Sequence, residues 1–395
     1  LMSTTKRLWL GLASLLIASF AVMLWLGTEL IQTKPPIPDR VVAANGQVLY
    51  TRDDIQTGQQ VWQSIGGQQL GSVWGHGALV APDWSADWLH RETEAMLELQ
   101  SRNDTGEPYA SLDDGEKARI QAAVKPLIRS NTYDATRNEI VVSDMRAQAI
   151  SMVAAHYESV FSNDPATREL REAYAKNDTI PDAAKRRSMT AFFFWTSWAA
   201  GTDRPDYENR SYTNNWPYEP LIGNKPTPDN FIWSMFSILF LIGGVGLLAW
   251  HYAAYHGKEP LPTPPARDPL QGLTITPSMK ATAKYFWVVM ALFLTQILLG
   301  ATTAHYQVEG QEAYGLQIAE ILPYSLTRSW HTQLAVLWIA TAWLATGLYI
   351  GPAVSGHEPK YQRAGVNFLF VCLLIIVVGS FVGQWFGVMQ KMYLQ

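Results

Sequence analysis

The sequence predicts an all-α membrane protein in which a multi-span helical bundle carries an α-rich extracytoplasmic domain. Five long stretches are apolar and free of Asp, Glu, Lys and Arg, as membrane-spanning helices require. A polar region, residues 28–230, separates the first stretch from the second. The composition of 48% hydrophobic and 16% charged residues averages these two parts, so an ordinary soluble protein is excluded.

Charge and cysteine content exclude further classes of protein. The formal net charge is -4, without the basic surface that neutralises phosphates, so nucleic acid is not an expected partner. The single cysteine, Cys372, lies in an apolar stretch, which excludes a disulfide framework and a thiolate metal cluster. The polar region has no cysteine and therefore cannot attach haem c through a Cys-x-x-Cys-His motif.

Each apolar stretch is long enough to cross a hydrocarbon core, which needs roughly 20 helical residues. The first stretch follows Lys6 and Arg7, but it is long for a signal-peptide core and no small-x-small cleavage motif follows closely. We interpret it as an uncleaved anchor. The five predicted spans are Leu8–Leu26, Phe231–Trp250, Tyr285–Ala304, Trp330–Tyr349 and Val366–Phe386.

The basic residues of the short loops predict the orientation in the membrane, because such residues are retained on the cytoplasmic side. The connection 306–326 contains three glutamates and no Lys or Arg, which predicts an external loop. The polar region 28–230 is then also extracytoplasmic, and the membrane is the inner, cytoplasmic membrane. The basic residues assigned to the inside are Lys6, Arg7, Lys258, Arg267, Lys280, Lys284, Lys360 and Arg363.

Four regions follow from this pattern. Residues 1–27 form the anchor and residues 28–230 the extracytoplasmic domain. Residues 231–283 contain the second span and a cytoplasmic linker rich in proline, and residues 284–395 contain three further spans. The sequence stops at Gln395, just after the fifth span, so we expect it to be a fragment.

Helices are predicted within the extracytoplasmic domain from apolar spacing and capping residues. A capping box at Ser111-x-x-Asp114 is expected to open one helix that ends near Arg129. Residues 204–229, rich in Asn, Pro, Tyr and Trp, predict an ordered loop on the membrane face. The other predicted helices are Thr57–Ile65, Asp83–Leu99, Val142–Phe161 and one that starts at Asp164-Pro165.

Ionisable residues at membrane depth are candidate functional residues, because burying them there is costly. His331, just inside the outer end of the fourth span, has the chemistry of a haem axial ligand. Arg328, one turn earlier, is suited to pair with a haem propionate. Spacing alone leaves open the structural alternatives, an imidazole hydrogen-bonded to a neighbouring helix and an arginine that extends to the water boundary.

His305, at the outer end of the third span, is predicted to lie at nearly the same depth as His331. His305 with Glu309 could accept the protons released when a quinol is oxidised, or could be an interfacial pair without that role. His251 and His256 flank the inner end of the second span as boundary residues. The scattered domain histidines are interpreted as surface or hydrogen-bonded residues: His76, His90 and His156.

Four sequence motifs, spread in order along most of the chain, resemble the quinol-dependent nitric oxide reductases of the haem-copper oxidase superfamily. Several motifs in the right order are a stronger indication than any single motif. They are TGQQVW at 57–62, GSVWGHGALVAPDW at 71–84, NNWPYEP at 214–220 and TRSWHTQL at 327–334.

The resemblance implies a fold and an electron path. The extracytoplasmic domain would resemble a cytochrome c fold without haem c, and electrons would come from membrane quinol. His331 would be one axial ligand of a low-spin haem b, which would pass electrons to a catalytic haem b and non-haem iron centre that reduces nitric oxide in denitrification. Gly77 would lie in a loop whose backbone approaches a calcium site, although Leu79 replaces the tyrosine that cytochrome-dependent relatives tend to have there.

The resemblance also implies that the second haem ligand and the catalytic metal ligands lie on spans after Gln395, in a remaining C-terminal catalytic half. The expected partners are therefore membrane quinol, nitric oxide, the lipid bilayer and that half; a homodimer is compatible with the sequence. Two other functions stay open: a membrane-anchored sensor or assembly protein with structural histidines, and a haem-copper oxygen reductase.

Overall fold

The computed structural model describes residues 4–78, 81–174, 180–205, 207–255, 269–309 and 321–389. Most of the proline-rich linker, His256, Leu79 and most of the acidic outer connection lie outside the described residues. In chain order the elements are α1 (Thr4–Thr33), β1 (Arg40–Ala43), β2 (Val48–Thr51), α2 (Arg52–Ser64), α3 (Trp84–Thr105), α4 (Asp114–Arg129), β3 (Tyr133–Asp134), β4 (Glu139–Val142), α5 (Asp144–Val160), α6 (Arg168–Ala173), α7 (Ala183–Gly201), α8 (Asp229–Tyr255), α9 (Pro277–Ala281), α10 (Ala283–Glu309), α11 (Tyr324–Ser355) and α12 (Gln362–Val388).

The five predicted spans are confirmed as helices long and apolar enough to cross a membrane. They correspond to α1, α8, α10, α11 and α12, and each helix continues past the apolar stretch that predicted it. The all-α membrane class is confirmed. Continuation is expected because helical hydrogen bonding satisfies the backbone in the interfacial region as well as in the hydrocarbon core.

The extracytoplasmic domain also contains a small sheet, which the sequence analysis did not predict. Its strand order is β2-β1-β4-β3. Strands β1 and β4 are parallel, with Val41 opposite Ile140, and the two outer pairings are antiparallel. The strands have two to four residues, too few for an alternating pattern to stand out in the sequence.

The helix starts show where the capping prediction succeeded and where it failed. Asp83 caps α3 by accepting from the Ala86 N–H, and Asp164 caps the 3₁₀ turn before α6, both as predicted. The capping box expected at Ser111 is wrong, because Asp113 is the residue that caps α4. The capping box present in the domain is at Thr51-x-x-Asp54, and it starts α2 five residues before the predicted position.

Helix α7 lies at the centre of the domain and was missed by the sequence analysis. All its residues from Ser188 to Gly201 are buried, so it has no polar stripe and no amphipathic period. Its Phe193 ring stacks on Trp84 with centroids 5.4 Å apart, and Trp88 stacks on Tyr157 at the same distance. These aromatic side chains fill the interior of the domain.

The loop 202–228, predicted as ordered, is fixed by buried polar contacts. Arg129, at the end of α4, donates to Asp203, Asn224 and Asn215. The Asn224 side chain in turn donates to the carbonyls of Ala200 and Pro217. One guanidinium therefore ties the end of α4 to both halves of the loop, whose far end leads into α8.

The membrane helices fall into two groups. Helices α10, α11 and α12 pack through Leu292, Leu299, Leu334 and Val377. At their inner end the Tyr285 hydroxyl donates to the Val366 carbonyl at 2.6 Å. The most apolar stretches of α1 and α8 bury nothing against the rest of the described chain.

Candidate functional site

His331 is half-buried between α10 and α11, which matches its predicted place in the fourth span. Its Nδ1 is 3.0 Å from the carbonyl oxygen of Gln296 on α10. A carbonyl only accepts, so Nδ1 carries the proton and donates, and Nε2 keeps its lone pair. Nε2 makes no hydrogen bond within the described part of the chain. A histidine that ligates a metal through one nitrogen and donates from the other has this arrangement.

Gln296 fixes the position of His331 from three sides and was missed by the sequence analysis. Besides its carbonyl contact, its side-chain amide donates to the His331 carbonyl at 3.3 Å and accepts from Trp338 Nε1 at 2.6 Å. Only ionisable residues of the spans were considered as candidates, although an uncharged glutamine in hydrocarbon also needs partners. A polar side chain in an apolar span was the available signal.

Gly300, one turn after Gln296, makes room for the imidazole. A Cβ at this position would lie 2.8 Å from Cε1 and 3.0 Å from Nδ1 of His331. Real Cβ atoms do not approach this closely, so a larger residue would displace the ring. The α10–α11 contact thus depends on a glycine that the sequence analysis did not single out.

The outer end of α11 leaves polar atoms without acceptors. The Nε of Arg328 and the Nε1 of Trp330 are buried and make no hydrogen bond to any described residue. Both donors lie within one turn of His331. Buried donors of this kind normally have a partner, so the arrangement fits a bound group with acceptor oxygens, such as a carboxylate. His331 and Arg328 together therefore suit haem iron and a haem propionate.

His305 is half-buried near the outer end of α10, and its ring is 6.1 Å from that of Tyr306. The prediction that His305 and His331 lie at nearly the same depth is wrong. His331 is level with Gln296 and Gly300, whereas His305 is five residues beyond Gly300. The helical rise makes that separation about 7.5 Å along the axis. The Glu309 side chain lies outside the described part of the structure.

The loop that contains Gly77 is organised by Asp83. One Asp83 oxygen accepts from the Ser72 hydroxyl and the Gly75 N–H, both at 2.7 Å, and the Gly77 N–H donates to Ser72 at 2.7 Å. Gly77 has a φ of +83°, which favours glycine. The loop and the Trp216 ring border a cavity of about 690 Å³. Asp83 is fully engaged in this fold, so a calcium ion there would rely on other oxygens.

The remaining histidines occupy ordinary positions. His90 is hydrogen-bonded to Glu219 at 2.9 Å, as expected for a surface histidine with a partner. His76 is exposed and its ring contacts Trp216 edge-on at 4.8 Å. His156 is half-buried, and burial, followed by the charge of Arg91, holds its pKa below the ordinary histidine value. Among the described residues, no three His, Cys, Asp or Glu side chains are grouped to hold a metal ion.

Two family models match the chain in separate parts. The model described as cytochrome C and quinol oxidase polypeptide I matches residues 280–395, which include α10, α11 and α12. This match defines the class as the haem-copper oxidase superfamily of membrane oxidoreductases. The model described as a nitric oxide reductase cytochrome c-like domain matches residues 38–218. The chain therefore belongs to the nitric oxide reductases of that superfamily. A comparison with curated proteins finds no match.

Proposed function

We propose that the chain is the electron-entry part of a quinol-dependent nitric oxide reductase that joins two NO molecules into N2O and water. The observation that carries the proposal is the geometry of His331, whose Nδ1 donates to Gln296 while Nε2 keeps its lone pair. Haem b, when bound, would supply one-electron transfer. His331 would hold its iron through Nε2, and Arg328 would neutralise a propionate.

The reaction must balance electrons and protons. Oxidation of one quinol to quinone releases two electrons and two protons, and the reduction of two NO to N2O and water consumes the same number. His305, half-buried near the outer boundary, would take up a quinol proton, with Glu309 one turn further on as the second acceptor. Because His305 is about 7.5 Å further out than His331, the quinol would lie between the haem edge and the membrane surface.

We further propose that the catalytic haem b, the non-haem iron and the second axial ligand are held by a remaining catalytic half, outside these 395 residues. The loop at Gly77 would offer backbone oxygen to a calcium ion. The protein would lie in the inner membrane with residues 28–230 on the extracytoplasmic side, in agreement with the basic residues Lys280, Lys284, Lys360 and Arg363 at the opposite end of α10–α12.

The test uses the full-length protein that contains the complete catalytic part. We expect a b-type band in its reduced-minus-oxidised spectrum, N2O production with quinol and NO, and loss of the low-spin haem signal in His331→Ala. The exposed His357→Ala is the matched control and should keep both. A low-spin signal that survives in His331→Ala would refute the ligand assignment.

The same experiment separates the alternatives. A protein without any b-type band would be a membrane-anchored sensor or assembly protein with structural histidines. A protein that consumes oxygen but not NO would be a haem-copper oxygen reductase. For the quinol site, His305→Gln should lower quinol-driven turnover while turnover with an artificial one-electron donor is kept.

A further inference from the structure

A cavity of about 640 Å³ lies where the extracytoplasmic domain meets the membrane, away from His331. Its walls include Lys34, Asn131, Tyr133, Arg204, Tyr207 and Tyr212. Lys34 directly follows the last residue of α1, so the cavity is level with the boundary where that span leaves the hydrocarbon. Tyrosine and basic side chains are the residues that favour this interfacial layer.

Two guanidiniums face each other beside this cavity. The Tyr207 ring lies between them, with its centroid 5.2 Å from Arg204 Cζ and 5.4 Å from Arg210 Cζ. Both arginines donate to the same oxygen, Asn214 Oδ1, at 2.7 and 2.9 Å. Two like charges that share one neutral acceptor repel each other, and an anion between them and the solvent would offset that repulsion.

The nearby carboxylates are largely engaged elsewhere. Asp229, the first residue of α8, accepts from Arg210, and Asp203 accepts from Arg129. The Nε of Arg204 is buried and makes no hydrogen bond in the described part of the chain. Burial, and then the charge of Arg210, lower the pKa of Arg204. Glu208 is exposed, and Asp206 lies outside the described residues.

We propose that this cavity binds the phosphate group of an anionic phospholipid from the leaflet next to the extracytoplasmic domain. Arg204 would donate its free Nε–H to a phosphate oxygen, and Lys34 would add a second positive charge from the end of α1. Tyr133, Tyr207 and Tyr212 would contact the glycerol region with their rings. A lipid bound here would join α1 to the loop that leads into α8, two spans whose most apolar stretches have no packing contact with the described chain.

The test measures the melting temperature of delipidated full-length protein in detergent. Added phosphatidylglycerol should raise the melting temperature, whereas phosphatidylcholine, whose phosphate is masked by choline, should raise it less. In Arg204→Gln the apparent affinity for phosphatidylglycerol should fall roughly tenfold or more, the effect of losing one charge-assisted hydrogen bond. Arg137→Gln, an exposed arginine of the same domain, is the matched control and should respond like the wild type.

Inorganic phosphate distinguishes the two sources of the group. If phosphate alone stabilises the wild type as fully as the lipid does, and Arg204→Gln abolishes the effect, the phosphate site is supported and its source is free phosphate. An Arg204→Gln variant that responds to phosphatidylglycerol like the wild type would overturn the proposal. If Arg204→Gln does not fold, Arg204→Lys replaces it: native mass spectrometry should show less bound phosphatidylglycerol than in the wild type, and equal retention would overturn the proposal.

Discussion

A methyl group at Gly300 should disturb the histidine that we propose as a haem ligand. The added Cβ of Gly300→Ala would lie 2.8 Å from Cε1 of His331, so the ring must move and its bond to the Gln296 carbonyl is lost. Overpacking of this kind costs roughly 1–3 kcal/mol of folding free energy. We expect a smaller fraction of six-coordinate low-spin haem, measured by electron paramagnetic resonance of the full-length protein.

The matched control for this change is Gly347→Ala on α11, where an added Cβ meets no atom within 4 Å. That variant should keep the wild-type spectrum, because alanine favours the helix and touches nothing. If Gly300→Ala also keeps the spectrum and the melting temperature of the wild type, His331 is not held by the α10–α11 contact that the structure shows.

His156 should make the extracytoplasmic domain less stable in mild acid. Its pKa is below the ordinary value of 6.5, mainly through burial and then through Arg91, while Asp87 acts in the opposite direction. As the pH falls through 6.5, the unfolded chain binds a proton that the folded chain does not, so the free energy of unfolding decreases. Above that range both states are neutral at this position and it contributes no pH dependence.

The measurement is the melting temperature at several pH values between about 7.5 and 5.5, on either side of the histidine range. His156→Gln should lose less stability on acidification than the wild type. His76→Gln, at an exposed position, should follow the wild-type curve. A wild-type curve and a His156→Gln curve that coincide would rule out this residue as a source of the acid sensitivity.

The sequence predicted the titratable candidates at this scale but not what holds them. His331 and Arg328 stood out because ionisable groups are rare in spans. Gln296 and Gly300 carry no charge, and their importance comes from the packing of α10 against α11, which a single sequence does not contain. The relative depth of His305 was wrong for the same reason, because depth was counted from the ends of the apolar stretches and not from the contact between the helices.

At the scale of elements, the start of α3 should be the weak point of the Gly77 loop. Asp83 accepts from Ser72, Gly75, Ser85 and Ala86, so Asp83→Ala would leave several donors without an acceptor. We expect a loss of roughly 2–4 kcal/mol, which combines a lost cap with unsatisfied buried groups. Denaturant unfolding of the full-length protein, followed by tryptophan fluorescence, measures this loss.

Asp113→Ala is the matched control, because Asp113 is exposed and its side chain caps α4 by accepting from the Glu116 N–H. A simple cap contributes about 1 kcal/mol. Equal losses for the two variants would mean that Asp83 acts only as a helix cap, and the buried hydrogen bonds of the loop would then have no measurable share.

Elements were predicted well where the physical requirement acts along the chain. A span must be apolar over its whole length, so all five were found. Helix α7 was missed because a helix buried on every side shows no period. The strands β1 and β4 are about a hundred residues apart in sequence, and their pairing is a tertiary contact that local patterns do not reveal.

At the scale of the whole molecule, the described part of the chain contains one packed membrane unit and two peripheral spans. The inner end of α10–α12 is joined by contacts such as Lys284 to Asn367 and the Ser278 N–H to Glu358. Its outer end meets the extracytoplasmic domain, where Tyr306 and Tyr324 join that domain's core. The two ends therefore differ both in charge and in what they contact, which makes the direction of insertion a testable property.

The topology prediction follows from that difference. Thr136 is exposed on the β3–β4 turn of the extracytoplasmic domain, and Ser355 is exposed at the opposite end of α11, next to the basic residues Lys360 and Arg363. Basic loops stay in the cytoplasm, so a membrane-impermeant maleimide should label Thr136→Cys but not Ser355→Cys in spheroplasts of a bacterial host, and both after permeabilisation. Cys372, half-buried within α12, sets the background in the parent chain. Labelling of Ser355→Cys alone in intact spheroplasts would invert the topology and remove the extracytoplasmic assignment of the quinol site.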